Sequence, residues 1–492
     1  MLFSSISFLF FMTAVFLIYW ALPHQYRWAG LLAANVFFYA SWDIRYLAVI
    51  VFTTLVSYFG AIFMEKASDA KKKKLLFAAG TIVTLFLLLL FKYANFALYS
   101  VEKVLRIFAV PVQETTLRLL MPVGISFYTF QMVGYLADVY KGKIPAERHL
   151  GKYALFVSFF PNISSGPIER AGNILPQIEK KKKFDYDTAV YGARLILLGL
   201  LKKLVFADSM SKYVDVVFDN VTEHSGFSLI LATLLFTFQI YCDFSGYSDM
   251  AIGVAKLLGF DLMTNFKFPY WSSSVKEFWS RWHISLSTWF RDYVYIPLGG
   301  NRVSKKRRNL NLILTFLASG LWHGASWTFV LWGGIHGIYQ VIENTVKDFS
   351  GKRKAAASRT GKLEKQPYRA ALRLRHAGSI LLTFAAVSFA WMFFRANSIS
   401  DAVYILRNLF PLGSFTEAMG QMTMSKLSIA KTGASIVFLM AYDYFSMRHD
   451  LLRELSRLKL PLRWALYIAT AVLVIVLKIH NGVTQEFIYF KF

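Results

Sequence analysis

Residues 75–91 read LLFAAGTIVTLFLLLLF, 17 residues without one charged side chain. Comparable apolar runs occupy residues 4–20, 46–64 and 226–240. A helix needs about 20 apolar residues to cross about 30 Å of hydrocarbon, and the runs lack the amphipathic periodicity of a soluble helix. Because such runs recur along nearly the whole chain, the sequence predicts an all-α, polytopic membrane protein with a single transmembrane domain, 1–492.

Composition supports this class. The 492 residues are 56% hydrophobic and 17% charged, whereas soluble domains contain about 45–50% apolar and about 25% charged residues. The first run has no basic segment before it and no small-residue cleavage site after it. We therefore expect residues 4–20 to remain as a helix and not to be removed as a signal peptide.

The net charge of +26 is concentrated in short loops between the apolar runs. Lysines and arginines cluster at 71–74, 180–183, 305–308 and 352–375. This is where the positive-inside rule expects cytoplasmic loops, and such clusters also attract anionic lipid headgroups. The position of the charge therefore argues against nucleic acid as a partner. It predicts that 350–375 is a cytoplasmic basic loop.

The alternation of spans predicts the topology of the remaining segments. Counting outward from the cytoplasmic loop 350–375 places the tail, 481–492, on the extracytoplasmic side. Residues 153–170 contain prolines, glycine and charges, which predicts a non-helical re-entrant element enclosed by protein. Residues 309–340 are apolar but flanked by basic loops, so they must enter and return, or dip as two half-spans, with a turn near 320–324.

That turn places His323 inside the membrane profile, where an ionisable residue is costly and therefore a functional candidate. Imidazole gains and loses a proton near neutral pH, which suits a general base. Trp322 and Ser326, in the stretch LWHGASW, are candidate supporting residues. The alternative is a histidine that only packs against a neighbouring helix, and the residues alone leave both interpretations open.

Two further polar stretches contain candidate residues. Residues 279–292, WSRWHISLSTWFRD, include Arg281 and His283. They are typical of an interfacial amphipathic helix, although His283 could share a cavity with His323. Residues 239–249 include Asp243, which at membrane depth needs a partner such as Arg281 or a histidine. The single cysteine, Cys242, cannot form an internal disulfide, and nothing indicates a nucleophile or a metal site.

The chain closes on the aromatic stretch FIYFKF, 487–492. Such a tail could anchor in the headgroup layer. Tyr489 nevertheless offers a phenol beside the membrane. A phenol has a pKa near ~10, well below that of an alkyl alcohol, so its ester stays reactive.

Four blocks of sequence resemble the alginate O-acetyltransferase branch of the membrane-bound O-acyltransferase (MBOAT) family. They are PVGISFY at 122–128, residues 241–250, residues 278–302 ending in YIPLGGNR, and residues 320–334. The likeness runs along essentially the whole chain. It departs from the family pattern at 160–170, where a more apolar version is expected.

The resemblance implies a ring of transmembrane helices, with re-entrant and interfacial helices, around a thinned centre reached by funnels from both faces. It implies that His323 is the catalytic histidine and His283 the second histidine of the site. It also implies an extracytoplasmic partner, an SGNH-type acetyltransferase or an equivalent, and a polysaccharide acceptor. Relatives that transfer D-alanine to teichoic acids act with a similar aromatic C-terminus, which supports a function for the tail.

These expectations combine into one hypothesis of function. The chain transfers an acyl group, most simply acetyl, from a cytoplasmic thioester to an acceptor across a bacterial cell membrane. The donor is acetyl-CoA or an acylated carrier protein, and no bound cofactor is expected. His323 is the general base, and Tyr489 is the first acceptor hydroxyl. The main rival is D-alanyl transfer to teichoic acid. A transporter or flippase would be a different class, but the paired halves expected of many transporters are not evident.

Overall fold

The computed structural model describes residues 1–110, 116–117, 119, 121–359, 369–481 and 487–488. Within these ranges the regular structure is helical and contains no strand, which confirms the predicted all-α class. The α-helices, in chain order, are α1 Ile6–Ala21, α2 His24–Ala40, α3 Tyr46–Lys66, α4 Ala70–Ile107, α5 Ile125–Tyr140, α6 Leu150–Ser158, α7 Ala171–Glu179, α8 Tyr186–Leu200, α9 Asp208–Phe218, α10 Phe227–Leu257, α11 Val275–Arg281, α12 Ile284–Phe290, α13 Lys305–His323, α14 Trp327–Arg359, α15 Arg369–Arg395, α16 Ile399–Arg407, α17 Phe415–Gln421, α18 Lys426–Ser446, α19 Leu451–Glu454 and α20 Leu460–Asn481.

The long helices are those of a multi-pass membrane protein. Among the described residues, five helices are long and apolar enough to cross a bilayer: α3, α4, α10, and most of α15 and α20. In α20 only 6% of the most apolar window is buried within the protein. In α10 the corresponding share is 72%. Since an apolar side chain can face lipid, α20 lies at the periphery and α10 at the centre of the bundle.

Helix ends group into two faces. On one face the Trp20 indole at the end of α1 donates to Leu257 O at the end of α10, at 3.0 Å. Near it Arg27 donates to Lys182 O at 2.9 Å. On the opposite face Lys478 donates to Ser4 O at 2.7 Å. This grouping agrees with the alternation of spans expected from the loops. The assignment of the lysine-rich face to the cytoplasm stays a prediction from charge.

The segment 153–170 is broken, as predicted. Helix α6 ends at Ser158, and residues 159–169 are buried without helical structure. Side chains from other elements satisfy part of this backbone, because Asn35 Oδ1 accepts from Phe160 N–H at 3.0 Å and Ser285 Oγ accepts from Ile168 N–H at 3.0 Å. Irregular backbone survives in such a place only where protein encloses it. Its depth in the bilayer stays a prediction.

The basic loop is shorter than predicted. Residues 350–359 continue α14, and residues 369–375 already belong to α15. Lysine, arginine and alanine, which dominate 352–359, have high helix propensity and account for the continued helix. The cytoplasmic side of the segment that connects α14 and α15 stays a prediction. The segment 360–368 lies outside the described residues.

Helices α13 and α14 form the hairpin predicted for 309–340, with the turn at Gly324-Ala325-Ser326. Their backbones touch. A Cβ on Gly320 would lie 2.2 Å from Phe329 O, and one on Gly333 would lie 2.3 Å from Phe316 O. Neither position tolerates a side chain unless the helices separate.

We therefore expect Gly333→Ala to destabilise the protein by about 1–3 kcal/mol, the usual cost of overpacking. The measurement is the midpoint of thermal unfolding of the purified protein in detergent. Gly378→Ala in α15 is the matched control, because a Cβ at Gly378 would meet nothing within 4 Å. Equal midpoints for the two variants would show that the close helix contact contributes nothing.

Candidate functional site

The turn of the hairpin holds His323, the last residue of α13. Its side chain is 2% exposed. Aromatic rings surround it: the centroid of its imidazole lies 5.0 Å from that of Trp322, 4.9 Å from Trp332 and 5.4 Å from Phe394. Gly324, which follows, is extended and ends the helix. The imidazole is thus fixed at a helix terminus within the apolar centre of the bundle.

His283 lies beside it, with 6.4 Å between the two ring centroids. The structure therefore brings together the two histidines singled out in the sequence. His283 is fully buried and separates α11 from α12. Its φ of +42° is uncommon for a residue other than glycine. Such conformations persist only where the surroundings enforce them, and they cluster at functional sites.

A short extended segment enforces this break. Asn265 O accepts from Ile284 N–H at 2.9 Å, and the Asn265 side chain accepts from the Ser285 hydroxyl at 2.6 Å. Trp282 and Trp289, on either side of the break, are also buried. The alternative that residues 279–292 form one interfacial amphipathic helix is therefore wrong. Its tryptophans pack into the core and not into a headgroup layer.

Lys92 of α4 is a site residue that the sequence analysis missed. Its ammonium group donates to Trp322 O at 2.7 Å and to His323 O at 3.0 Å. These carbonyls belong to the last turn of α13, whose backbone acceptors have no partner within the helix. Lys92 therefore fixes the backbone that holds His323. The signal was present, since Lys92 directly follows the apolar run 75–91 and an intramembrane lysine is a functional candidate.

We expect Lys92→Met to lower the rate of the predicted acyl transfer about tenfold or more, because a charged donor to two carbonyls would be lost. Lys92→Arg should recover part of the loss by restoring a donor. Lys103→Met is the control, since Lys103 is an exposed residue further along α4. The measurement is the rate of acyl transfer per folded protein. A Lys92→Met rate equal to that of the control would exclude the positioning role.

Asp243 lies on α10, and its expected partner was wrong. Its Oδ1 pairs with the Lys203 ammonium at 2.6 Å, and Lys203 also pairs with Asp208 at 2.8 Å. Arg281 instead pairs with Glu277, one turn earlier on α11, at 2.6 Å. Lys203 lies in a π-helical segment, Leu201–Ala207, whose side chains are all buried. The wider π-helical turn brings Lys203 into the core, and the sequence pattern did not predict this.

The remaining predicted residues have structural contacts. Trp322 is 4% exposed and packs against Phe127 and Phe130, with its indole N–H donating to Ser126 O at 3.4 Å. Ser326 Oγ accepts from Thr328 N–H at 3.3 Å and so orders the first turn of α14. Both residues therefore shape the hairpin turn that presents His323.

Two residues of the C-terminal stretch, Phe487 and Ile488, lie in the core near His283. Tyr489 lies outside the described residues, but Phe487 and Ile488 are described and are 2% and 5% exposed. Ile488 N–H donates to Asp243 Oδ2 at 2.8 Å. Phe487 packs at 5.8 Å from Phe244, whose ring is 4.6 Å from His283. These two tail residues are buried, so anchoring in a headgroup layer does not describe them.

A cavity of about 580 Å³ opens beside α8, α10 and the segment after α18. Its inner wall includes Tyr241, whose ring lies 6.0 Å from Trp282, the neighbour of His283. Its lining is mixed in charge and includes the cations Lys202, Lys256, Arg448 and Arg453 and the acids Asp249, Asp443 and Asp450. Among the residues described, no group of three or more histidines, cysteines and acids is arranged to hold a metal ion.

Comparison with known proteins identifies similar sequences. The model of the MBOAT, membrane-bound O-acyltransferase family matches residues 147–359. A protein named "Probable alginate O-acetylase AlgI" from Azotobacter vinelandii is 37% identical over 90% of this chain and 85% of its own length. A "Peptidoglycan O-acetyltransferase" from Helicobacter pylori is 35% identical over 78% and 73%. A "Teichoic acid D-alanyltransferase" from Streptococcus thermophilus is 34% identical over 51% and 64%.

Proposed function

Because this chain belongs to the membrane-bound O-acyltransferase family and is an O-acyltransferase of multi-pass membrane type, we propose that it supplies acetyl groups for O-acetylation of an extracytoplasmic polysaccharide. Two relatives that align over most of the chain are named for the O-acetylation of alginate and of peptidoglycan. The observation that carries the proposal is the pair of buried histidines, 6.4 Å apart, with the tail residues Phe487 and Ile488 packed against the same core.

His323 is the general base. It takes the proton from a hydroxyl while that oxygen bonds to the carbonyl carbon of the thioester. The tetrahedral intermediate then collapses, the carbon–sulfur bond breaks, and the thiol leaves with that proton. His283 or backbone N–H groups stabilise the oxyanion. A preorganised donor of this kind contributes about 3–4 kcal/mol.

Tyr489 is the hydroxyl that first receives the acetyl group. Ile488, its neighbour in the chain, donates its N–H to Asp243. The next residue on α10, Phe244, packs against His283. An acetylated phenol remains a reactive ester. A serine of an extracytoplasmic, SGNH-type acetyltransferase would take the acetyl group and pass it to the polysaccharide. The acyl group alone thus crosses the membrane.

The donor is a substrate and not a resident cofactor. It is acetyl-CoA or an acylated carrier protein, and both present a thioester on a phosphate-bearing arm. The 580 Å³ cavity is the proposed entrance for such an arm. Its lining includes Arg448, which could meet a phosphate, and Tyr241, whose ring lies 6.0 Å from that of Trp282, the neighbour of His283. Donor entry from the lysine-rich face would agree with the predicted orientation, in which that face is cytoplasmic.

The test uses the purified full-length protein in proteoliposomes with radioactive acetyl-CoA or radioactive acetyl carrier protein, and in a parallel arm radioactive D-alanyl carrier protein. The vesicles are prepared with an SGNH-type acetyltransferase and a polysaccharide acceptor. We expect acetyl label on the protein and then on the polysaccharide. Label only from the D-alanyl donor would instead establish the teichoic acid type of reaction. No label from any of the three donors, with correctly folded protein, would refute the proposal.

A further inference from the structure

We propose that Asp243, oriented by Lys203, is a positioning residue that docks the C-terminal tail beside the two histidines. The juxtaposition is direct: one carboxylate bonds to a buried lysine through one oxygen and to the tail backbone through the other. The inference deepens the acyl-relay proposal and rests on it for its catalytic meaning. The docking itself can be tested separately.

The two oxygens of Asp243 have different partners. Oδ1 lies 2.6 Å from Lys203 Nζ, and Oδ2 lies 2.8 Å from the amide nitrogen of Ile488. Asp243 and Ile488 are 2% and 5% exposed, so this bond is shielded from water. A bond from a backbone N–H to a carboxylate is charge-assisted and stronger than one to a neutral acceptor.

Two buried carboxylates meet at this point, which favours a further hydrogen-bond donor. Lys203 lies 2.8 Å from Asp208 and 2.6 Å from Asp243 and pairs with both. A buried carboxylate needs hydrogen bonds as well as a counter-ion to offset its loss of hydration. The Ile488 N–H supplies such a bond at Asp243. Asp208 pairs with the same lysine, whereas the Ile488 N–H bonds to Asp243.

Aromatic contacts of Phe487 hold the chain next to the Ile488–Asp243 hydrogen bond. The Phe487 ring lies 4.8 Å from Tyr247 and 5.8 Å from Phe244. Both aromatic residues are on α10 with Asp243. Phe244 in turn contacts the His283 ring edge-on at 4.6 Å. Phe244 therefore contacts both Phe487 and His283.

The experiment compares Asp243→Ala with Asp208→Ala in the full-length protein. The two variants make the same change, because each removes one carboxylate of Lys203 and leaves that lysine with the other. They differ in the bond to Ile488. Hydrogen–deuterium exchange of the C-terminal peptide, followed by mass spectrometry in detergent, reports that bond without altering the tail. Peptides from α9 and α10 report any general loosening.

We expect exchange of the C-terminal peptide to accelerate about tenfold or more in Asp243→Ala and to stay near wild type in Asp208→Ala. Asp243→Asn, which keeps an oxygen acceptor, should lie between them. In acetyl transfer, Asp243→Ala should lower kcat while KM for acetyl-CoA stays unchanged, since the tail does not bind the donor. A purely structural role would instead speed exchange in α9 and α10 in both variants.

Equal exchange of the C-terminal peptide in the two alanine variants would overturn the docking role, whatever their activity. Failure of the relay has a different signature. In that case Tyr489→Phe would retain full acetyl transfer, while the exchange difference between Asp243→Ala and Asp208→Ala would remain. The two outcomes therefore distinguish docking of the tail by Asp243 from acyl transfer through Tyr489.

Discussion

Replacing His323 with glutamine should lower acetyl transfer by about 10²–10⁴-fold, the contribution expected of a general base. Glutamine keeps a polar group of similar size at the end of α13, so the hairpin turn should still form. It cannot accept the proton of the attacking hydroxyl. The reaction should therefore fail at the chemical step, with donor binding retained.

The measurement is single-turnover transfer from radioactive acetyl-CoA, together with the affinity for a non-hydrolysable analogue of the donor. His336→Gln is the matched control. His336 is also fully buried in the hairpin, and its Nδ1 accepts from the Trp279 indole at 3.2 Å. That variant should keep most of its activity. Comparable rates in the two variants would mean that the His323 imidazole only packs.

The second large effect is expected at Tyr489. Tyr489→Phe keeps the aromatic ring and removes only the hydroxyl that is proposed to carry the acetyl group. Covalent label on the protein should disappear, and transfer to the polysaccharide should fall by about two orders of magnitude or more, as expected when an acyl-transfer nucleophile is lost.

Mass spectrometry of the C-terminal peptide, after a brief reaction without acceptor, locates the label in the wild type. Tyr404→Phe provides the control, because its hydroxyl donates to Thr222 O at 3.0 Å, outside the histidine site. If Tyr489→Phe acetylates the polysaccharide at the full rate, the relay must be abandoned. Direct transfer assisted by His323 would then be the simpler mechanism.

The sequence was most informative where a local pattern determines the structure. Flanking basic loops predicted the hairpin of α13 and α14 and put His323 at its turn. Prolines and polar residues predicted the irregular, buried segment after Ser158. In both cases the hydrocarbon thickness and the need to satisfy the backbone leave few alternatives, so a single chain sufficed.

The sequence was least informative where distant residues meet. His283 belongs to a stretch with the composition of an interfacial helix. The hydrogen bonds from Ile284 N–H and the Ser285 hydroxyl to Asn265 instead interrupt the helix at His283, which is buried. The partner of Asp243 is Lys203, which a π-helical turn brings into the core. Neither contact follows from periodicity. Lys92 is different, because its position directly after the apolar run 75–91 is visible in the sequence and would have predicted an intramembrane lysine.

The Lys92 contact has a consequence for engineering. A chimera that transfers α11–α14 of this chain into a relative would carry both histidines in one piece. It would not import the ammonium group on α4 that holds Trp322 O and His323 O. Exchange of specificity between such enzymes therefore has to move α4 together with the hairpin, or graft a lysine at the equivalent place. A transplant without it would carry the right side chains on a helix end with two unanchored carbonyls.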